Sequence, residues 1–183
     1  LTTVKLATLA KKAGVKKFIF SSSCSIYGKS TKPTVDEKSK VNPLTEYARS
    51  KINSEKELLK LADKNYCVTV MRNSTVFGFS PKFRDDLVIN NFIANGISTK
   101  KIILKSDGTA WRPLIDVRDL SRAFLLFVNA DVKKINRKIF NVGFNDGNYQ
   151  IKDVLKIIQK NLKDCEIVLE GENNKDLRSY KVN

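Results

Sequence analysis

Short apolar runs of strand length alternate with helical-period stretches along nearly the whole of this 183-residue chain. That alternation restricts the fold more than any other feature, because it calls for helices layered on a largely parallel sheet. The spacing predicts a helix over residues 4–13, stopped at Gly14, where a left-handed cap suits glycine. A strand follows at 17–21, its Phe18-Ile19-Phe20 run reading as buried on both faces. Further elements are expected as helix 45–63, strand 67–72, helix 85–95, strand 101–104, an extended piece 113–117, helix 119–129, strand 139–142, helix 151–162 and strand 165–169. The helix at 151–162 has the cleanest pattern, with Ile151, Val154, Leu155, Ile158 and Leu162 on one face.

Composition removes several chemistries. There is no histidine, and the three cysteines, Cys24, Cys67 and Cys165, are isolated. Zinc sites of the usual type, Ser-His-Asp triads and Cys-His pairs are therefore excluded, and no metal is expected. No apolar run approaches the ~20 residues needed to span a bilayer. Net charge is +15, from 34 Lys and Arg against 19 Asp and Glu. The lysines are scattered in pairs, without a basic block or interleaved aromatics, so they read as solvated helix faces and no nucleic-acid partner is expected. The only methionine is Met71 and Leu1 falls inside a helical pattern, which reads as a piece of a longer protein.

The sharpest chemical signal is Tyr47-Ala48-Arg49-Ser50-Lys51. On a helix, residues four apart stand one turn above each other, so the Lys51 ammonium comes near the Tyr47 phenol. A free phenol titrates near pH ~10. A neighbouring cation favours the phenolate, and the pair can then exchange a proton near neutrality. The spacing alone is common. It gains weight from Ser21-Ser22-Ser23, which closes the predicted 17–21 strand, because hydroxyls past the carboxyl end of a parallel strand lie where α/β sheets bind ligands. Ser23 can hydrogen-bond a substrate oxygen there. Its alternative is to satisfy its own backbone.

Together with these, Phe18–Gly28, the run from Asn42 to Lys51, Arg72–Gly78, the run from Asp107 to Leu120, and Phe140-Asn141-Val142-Gly143 resemble the extended short-chain dehydrogenase/reductases. The likeness is strongest to their NAD-dependent epimerase/dehydratase family of nucleotide-sugar enzymes. The resemblance implies the second half of a Rossmann-type parallel sheet with a smaller mixed α/β substrate-binding part. Residues 1–78 would carry the catalytic half of the NAD-binding domain and 79–183 mainly the substrate part, with 112–143 returning to the first. It implies Ser23, Tyr47 and Lys51 as catalytic residues. Ser21, Ser22, Asn73 and Ser74 would join Tyr47 and Lys51 at the cofactor. Ser23, Ser25, Thr75, Asn91, Arg112 and Arg178 would hold a nucleotide-diphosphate sugar, the two arginines at its phosphates. The cofactor would be NAD, with NADP open, and the parent a cytoplasmic homodimer.

Two positions depart from the family pattern. Family dehydratases carry an Asp-Glu pair directly after the hydroxyl residue, where this chain has Cys24 and Ser25, which disfavours dehydration. Family 4-epimerases usually have Asn where Thr75 stands. No Gly-rich dinucleotide turn can be drawn from the eight glycines, so this chain alone is expected to be inactive. The leading expectation is an NAD-dependent nucleotide-sugar epimerase, with a dehydratase or reductase of the same family as the alternative. A silent dehydrogenase-like protein holding RNA or another polyanion is the alternative from a different class.

Overall fold

The structure, a computed structural model, describes residues 2–171 and 176–183. A helix α1 (Thr2–Lys12) leads through Gly14, at φ +82°, into strand β1 (Lys17–Ser23). A short 3-10 turn (Cys24–Tyr27) follows, then a long loop and helix α2 (Glu46–Leu61). The Thr45 hydroxyl caps α2 by accepting from Ala48 N–H at 3.1 Å. Strand β2 (Cys67–Asn73) is buried at all seven positions. Then come β3 (Thr75–Phe77), α3 (Val88–Ser98), β4 (Lys101–Leu104), β5 (Trp111–Asp116), α4 (Val117–Asn129) and a one-turn α5 (Val132–Ile135). The chain continues with β6 (Lys138–Val142), β7 (Asn148–Gln150), α6 (Ile151–Asn161) and β8 (Glu166–Leu169). No helix among the described residues is long and apolar enough to cross a membrane.

The first sheet runs β1-β2-β6 and is wholly parallel. Its register aligns Ser23 with Asn73 and Asn73 with Val142, so the three strands finish level. A core of Ala7, Phe20, Leu58, Tyr66, Val68 and Val70 welds α1 and α2 to this sheet. The second sheet runs β3-β5-β7, its first strand separated by one residue from the carboxyl end of β2, and β4 pairs with β8. They are backed by a separate core around Ile89, Phe92, Ile102, Leu114 and the inward face of α6. The architecture is therefore α/β, as the alternation requires. The space between the two cores opens at the carboxyl ends of parallel strands, where such sheets take ligands.

Some details differ from the sequence reading. Phe18 and Ile19 are only half-buried, because β1 is the edge of its three-stranded sheet. Helix α3 starts three residues later than expected. Asp86 is held by Arg84, and the amides of Asn90 and Asn91 turn back to the carbonyls of Arg84 and Asp85, so residues 84–86 form a capped turn instead. The elements Cys24–Tyr27, Thr75–Phe77, Val132–Ile135 and Asn148–Gln150 are too short to show a period in sequence.

Leu58 is fully buried in the α2 core, whereas Leu126 on α4 is 71% exposed. Leu58→Ala should cost about 2–5 kcal/mol in chemical denaturation. Leu126→Ser should stay within about 0.5 kcal/mol of the natural chain. Equal losses at both positions would contradict this packing.

Candidate active site

Tyr47 and Lys51 lie in the first two turns of α2, and the i, i+4 spacing brings them together. The Lys51 ammonium sits 5.4 Å from the centroid of the Tyr47 ring and 5.0 Å from that of Phe20. It donates to the Ser21 carbonyl at 2.7 Å, which anchors it to the carboxyl end of β1. Burial lowers its pKa below that of an ordinary lysine, and the Glu55 carboxylate works in the opposite direction. The Tyr47 ring is 56% exposed and faces the opening between the two cores.

That opening comprises two adjoining cavities of about 540 and 710 Å³. Ser21, Ser22, Tyr47, Asn73 and Ser74 line the smaller one. Ser23, Ser25, Thr75, Asn91, Arg112 and Arg178 line the larger. Ser23, Thr75 and Leu87 belong to both, so the two spaces meet at Ser23. Ser21, Ser22, Tyr47, Asn73 and Ser74, expected at a cofactor, line only the smaller cavity, and Ser25, Asn91, Arg112 and Arg178, expected at a substrate, only the larger, while Ser23 and Thr75 line both. Lys51 lines neither cavity but is bonded to Ser21, which lines the smaller one.

Several side chains are already engaged. The Ser23 hydroxyl accepts from the Ser25 N–H at 3.1 Å, capping the 3-10 turn, and its own proton stays available to donate. The Ser22 hydroxyl donates to Glu55 Oε1 at 2.5 Å. Asn73 donates to Ser21 Oγ at 2.8 Å. The Asn91 amide donates to the Asp85 carbonyl and accepts from Asn95. Arg112, 8% exposed, bridges to Asp176 at 2.5 Å, and Arg178 holds the same carboxylate at 3.0 Å. Burial pushes the Asp176 carboxyl up, but the Arg178 hydrogen bond and the Arg112 charge outweigh it and hold the carboxyl below its usual range. Two guanidiniums against one carboxylate leave one positive charge for an anion in the larger cavity.

Sequence reasoning missed two residues here. Arg84, bidentate on Asp86 at 2.6 Å, lines the smaller cavity beside Tyr47. Glu55, 1% exposed, binds Arg72 Nη2 at 2.8 Å and receives the Ser22 hydroxyl. The spacing Tyr47, Lys51, Glu55 repeats the four-residue step once more and could have pointed to Glu55; nothing local marked Arg84.

The smaller cavity offers a phenol at its wall, together with Asn73 Oδ1, a buried oxygen without a hydrogen-bond partner among the described residues, and Lys51 is bonded to Ser21, which lines it. Ser25 Oγ is likewise buried and unpartnered, at the wall of the larger cavity.

The chain belongs to the NAD dependent epimerase/dehydratase family, whose sequence model matches residues 1–143. Among similar proteins, the UDP-glucuronate 4-epimerase of Thermodesulfobacterium geofontis is 29% identical over 161 residues, which are 86% of this chain and 47% of that protein. The dTDP-D-glucose 4,6-dehydratase of Mus musculus is 30% identical over 141 residues, covering 76% of this chain and 38% of its own length. In three dimensions, the UDP-glucose 4-epimerase of Thermotoga maritima, solved with UDP-glucose, superposes with a TM-score of 0.86 at 25% identity, over 99% of this chain and 59% of that one. The chain spans less than half the length of the first two relatives.

Cys24 directly follows Ser23 and opens the 3-10 turn. Its thiol is buried, donates to the Arg72 carbonyl at 3.0 Å, and is pushed well above the ordinary thiol range by burial. It has neither the access nor the acidity for proton transfer. Cys67 and Cys165 are buried too. The folded chain should therefore resist Ellman's reagent, and the unfolded chain should titrate three thiols. Rapid native labelling of Cys24 would show the thiol open to the cavity.

Proposed function

We propose that this chain is the catalytic and sugar-binding part of an NAD-dependent nucleotide-sugar epimerase. The observation that carries the reading is the Tyr47–Lys51 pair, turned toward the point where two cavities with different linings meet at Ser23. NAD, when bound, supplies a hydride acceptor and donor. Tyr47 takes the proton of a sugar hydroxyl through its phenol oxygen as the carbon bearing that oxygen gives up hydride, leaving a keto sugar, and returns the proton to the oxygen when hydride comes back to the opposite face of the carbon. Lys51 favours the phenolate by its charge. Its ammonium, with one proton on the Ser21 carbonyl, keeps two donors for ribose hydroxyls. Ser23 donates its free proton to the same sugar oxygen and steadies it. Arg112 and Arg178 attract the diphosphate, displacing part of the hold that Asp176 has on them. Asn91 and Thr75 line the route between phosphate and sugar.

Epimerisation is preferred over dehydration because water loss requires a second acid and base beside the phenol. Cys24 and Ser25, which stand next to Ser23, offer a sealed thiol and a hydroxyl. A reductase of the same family is the second reading, since its proton chemistry needs the same tyrosine. The proposal carries with it a nucleotide-diphosphate sugar as substrate and no nucleic-acid partner.

The test is made on the protein at the family's full length. Tyr47→Phe keeps the ring and removes the oxygen that moves the proton, so turnover of nucleotide-sugar epimers should fall about 10²–10⁴-fold. Lys51→Met should reduce turnover and weaken NAD retention together. Arg112→Ala should raise KM with a smaller change in kcat, because a phosphate contact holds ground and transition states alike. Undiminished turnover in Tyr47→Phe would remove the mechanism. Tight, steeply salt-dependent RNA binding without NAD retention would favour the silent polyanion binder.

A further inference from the structure

We propose that Glu55 is a positioning residue for the Tyr47–Lys51 pair, fixing the register between α2 and the strand end on which the pair is aimed. The inference rests on the reading of Tyr47 and Lys51 as the proton-moving pair. Tyr47, Lys51 and Glu55 follow at four-residue steps and so share one face of α2. That face meets β1 at two consecutive residues. Lys51 donates to the Ser21 carbonyl at 2.7 Å, and Ser22 donates its hydroxyl to Glu55 Oε1 at 2.5 Å. A slip of α2 along β1 would have to break both at once. The next residue along the strand is Ser23, at the junction of the two cavities.

Glu55 is itself immobilised from behind. Arg72 on β2 reaches it through Nε at 3.2 Å and Nη2 at 2.8 Å, and both side chains are almost wholly buried. The other arm of Arg72 donates to the Tyr27 hydroxyl at 3.1 Å and to the Glu37 carbonyl at 3.2 Å. Tyr27 in turn donates to Asn141 Oδ1 on β6 at 2.7 Å. One carboxylate thus ties α2 to β1 and β2 directly, and to the 3-10 turn and β6 through Arg72.

The placement has an electrostatic side. Elements packed against Lys51 offer few charges: Tyr47 and Glu55 on α2, a carbonyl and the Phe20 ring on β1, and Arg72 on β2 behind Glu55. Cys24 and Tyr27 in the 3-10 turn are held un-ionised at neutral pH by burial, and Lys11 of α1 is paired with Asp63 at the far end of α2. Glu55 is the charge that supports the protonated Lys51 against desolvation. Without it, the lysine should lose its proton at lower pH, and with that its pull on the phenol.

The test reads Lys51 directly, on this 183-residue chain and without turnover. Competitive acetylation across a pH series, quantified by mass spectrometry, gives the titration midpoint of each lysine. In Glu55→Gln the Lys51 midpoint should drop by about half a pH unit or more, while that of exposed Lys60 on the same helix stays put. Glu55→Asp, which retains the charge, should restore most of the difference. Because Glu55→Gln strands the Arg72 charge, the double variant Glu55→Gln with Arg72→Met, which leaves no buried charge unpaired, serves if the single variant does not fold. A folded variant lacking Glu55 whose melting temperature falls while the Lys51 midpoint is unchanged would reduce Glu55 to a structural prop and overturn the inference. If instead the Lys51 midpoint moves but Tyr47→Phe leaves turnover intact, the catalytic reading fails and the positioning of Lys51 stands.

Discussion

Everything at the carboxyl end of the first sheet depends on one buried ion pair. Glu55 and Arg72 are 1% and 3% exposed, and removing two charges from water costs several kcal/mol per ion unless every lone pair and proton finds a partner. Here they do. The guanidinium is shared among Glu55, Tyr27 and the Glu37 carbonyl, and the carboxylate takes the Ser22 hydroxyl as well. Charge inside a protein is a poor source of stability but a strict source of geometry, since few arrangements satisfy all those bonds together. The level finish of β1, β2 and β6 follows from hydrogen-bonded register. The height of α2 above that finish is set by the pair.

The consequence for chemistry is a division of labour between the faces of α2. Its inward face carries Ala48, Ile52 and Leu58 into apolar contact, which supplies adhesion. One stripe of polar residues along its flank does the aiming. Hydrophobic contact tolerates small shifts; hydrogen bonds lose most of their strength within about an ångström. Aiming a phenol at the point where the two cavities meet calls for the second kind of constraint. Beyond the cleft, β5 shares a core of Met71, Ile115 and Val142 with the first sheet, and Tyr180, two residues past Arg178, packs with Ala48 and Ile52 of α2, so both arginines are packed against the body that carries the phenol.

The sequence revealed the layered α/β plan, because strands of five to seven residues and helices of eleven or more carry a readable period. Gly14 also fell where its cap requires, while residue 45, read as the start of a helix, is the cap before it. Most elements of three or four residues stayed hidden, since two or three side chains define no period, whereas β4 and β8, of four residues each, were read from their apolar runs. The onset of α3 was misplaced for a different reason: Asp85 and Asp86 look like first-turn acids, yet Asp86 answers to Arg84, two residues away in the chain. The site was legible where chemistry sits at fixed local spacing, as with Tyr47 and Lys51. It was legible by resemblance for Asn73, Thr75 and Arg112, whose partners are remote in sequence. Glu55 and Arg84 escaped because a carboxylate facing inward and an arginine in a loop look, residue by residue, like ordinary surface charge. The Asp176 carboxylate between Arg112 and Arg178 could not be foreseen either, since it joins β5 to a segment more than sixty positions later.

Lys51 is moored to a main-chain oxygen rather than to a side chain. A carbonyl has no pKa in the working range, offers the same lone pairs whichever residue carries it, and cannot be deleted by a point substitution. The strand end could exchange Ser21 for many other residues and still present the same mooring, provided the backbone kept its path. A proton-handling site built this way is insulated from drift in its own neighbourhood: the sequence around it can change a great deal before the ammonium loses its place.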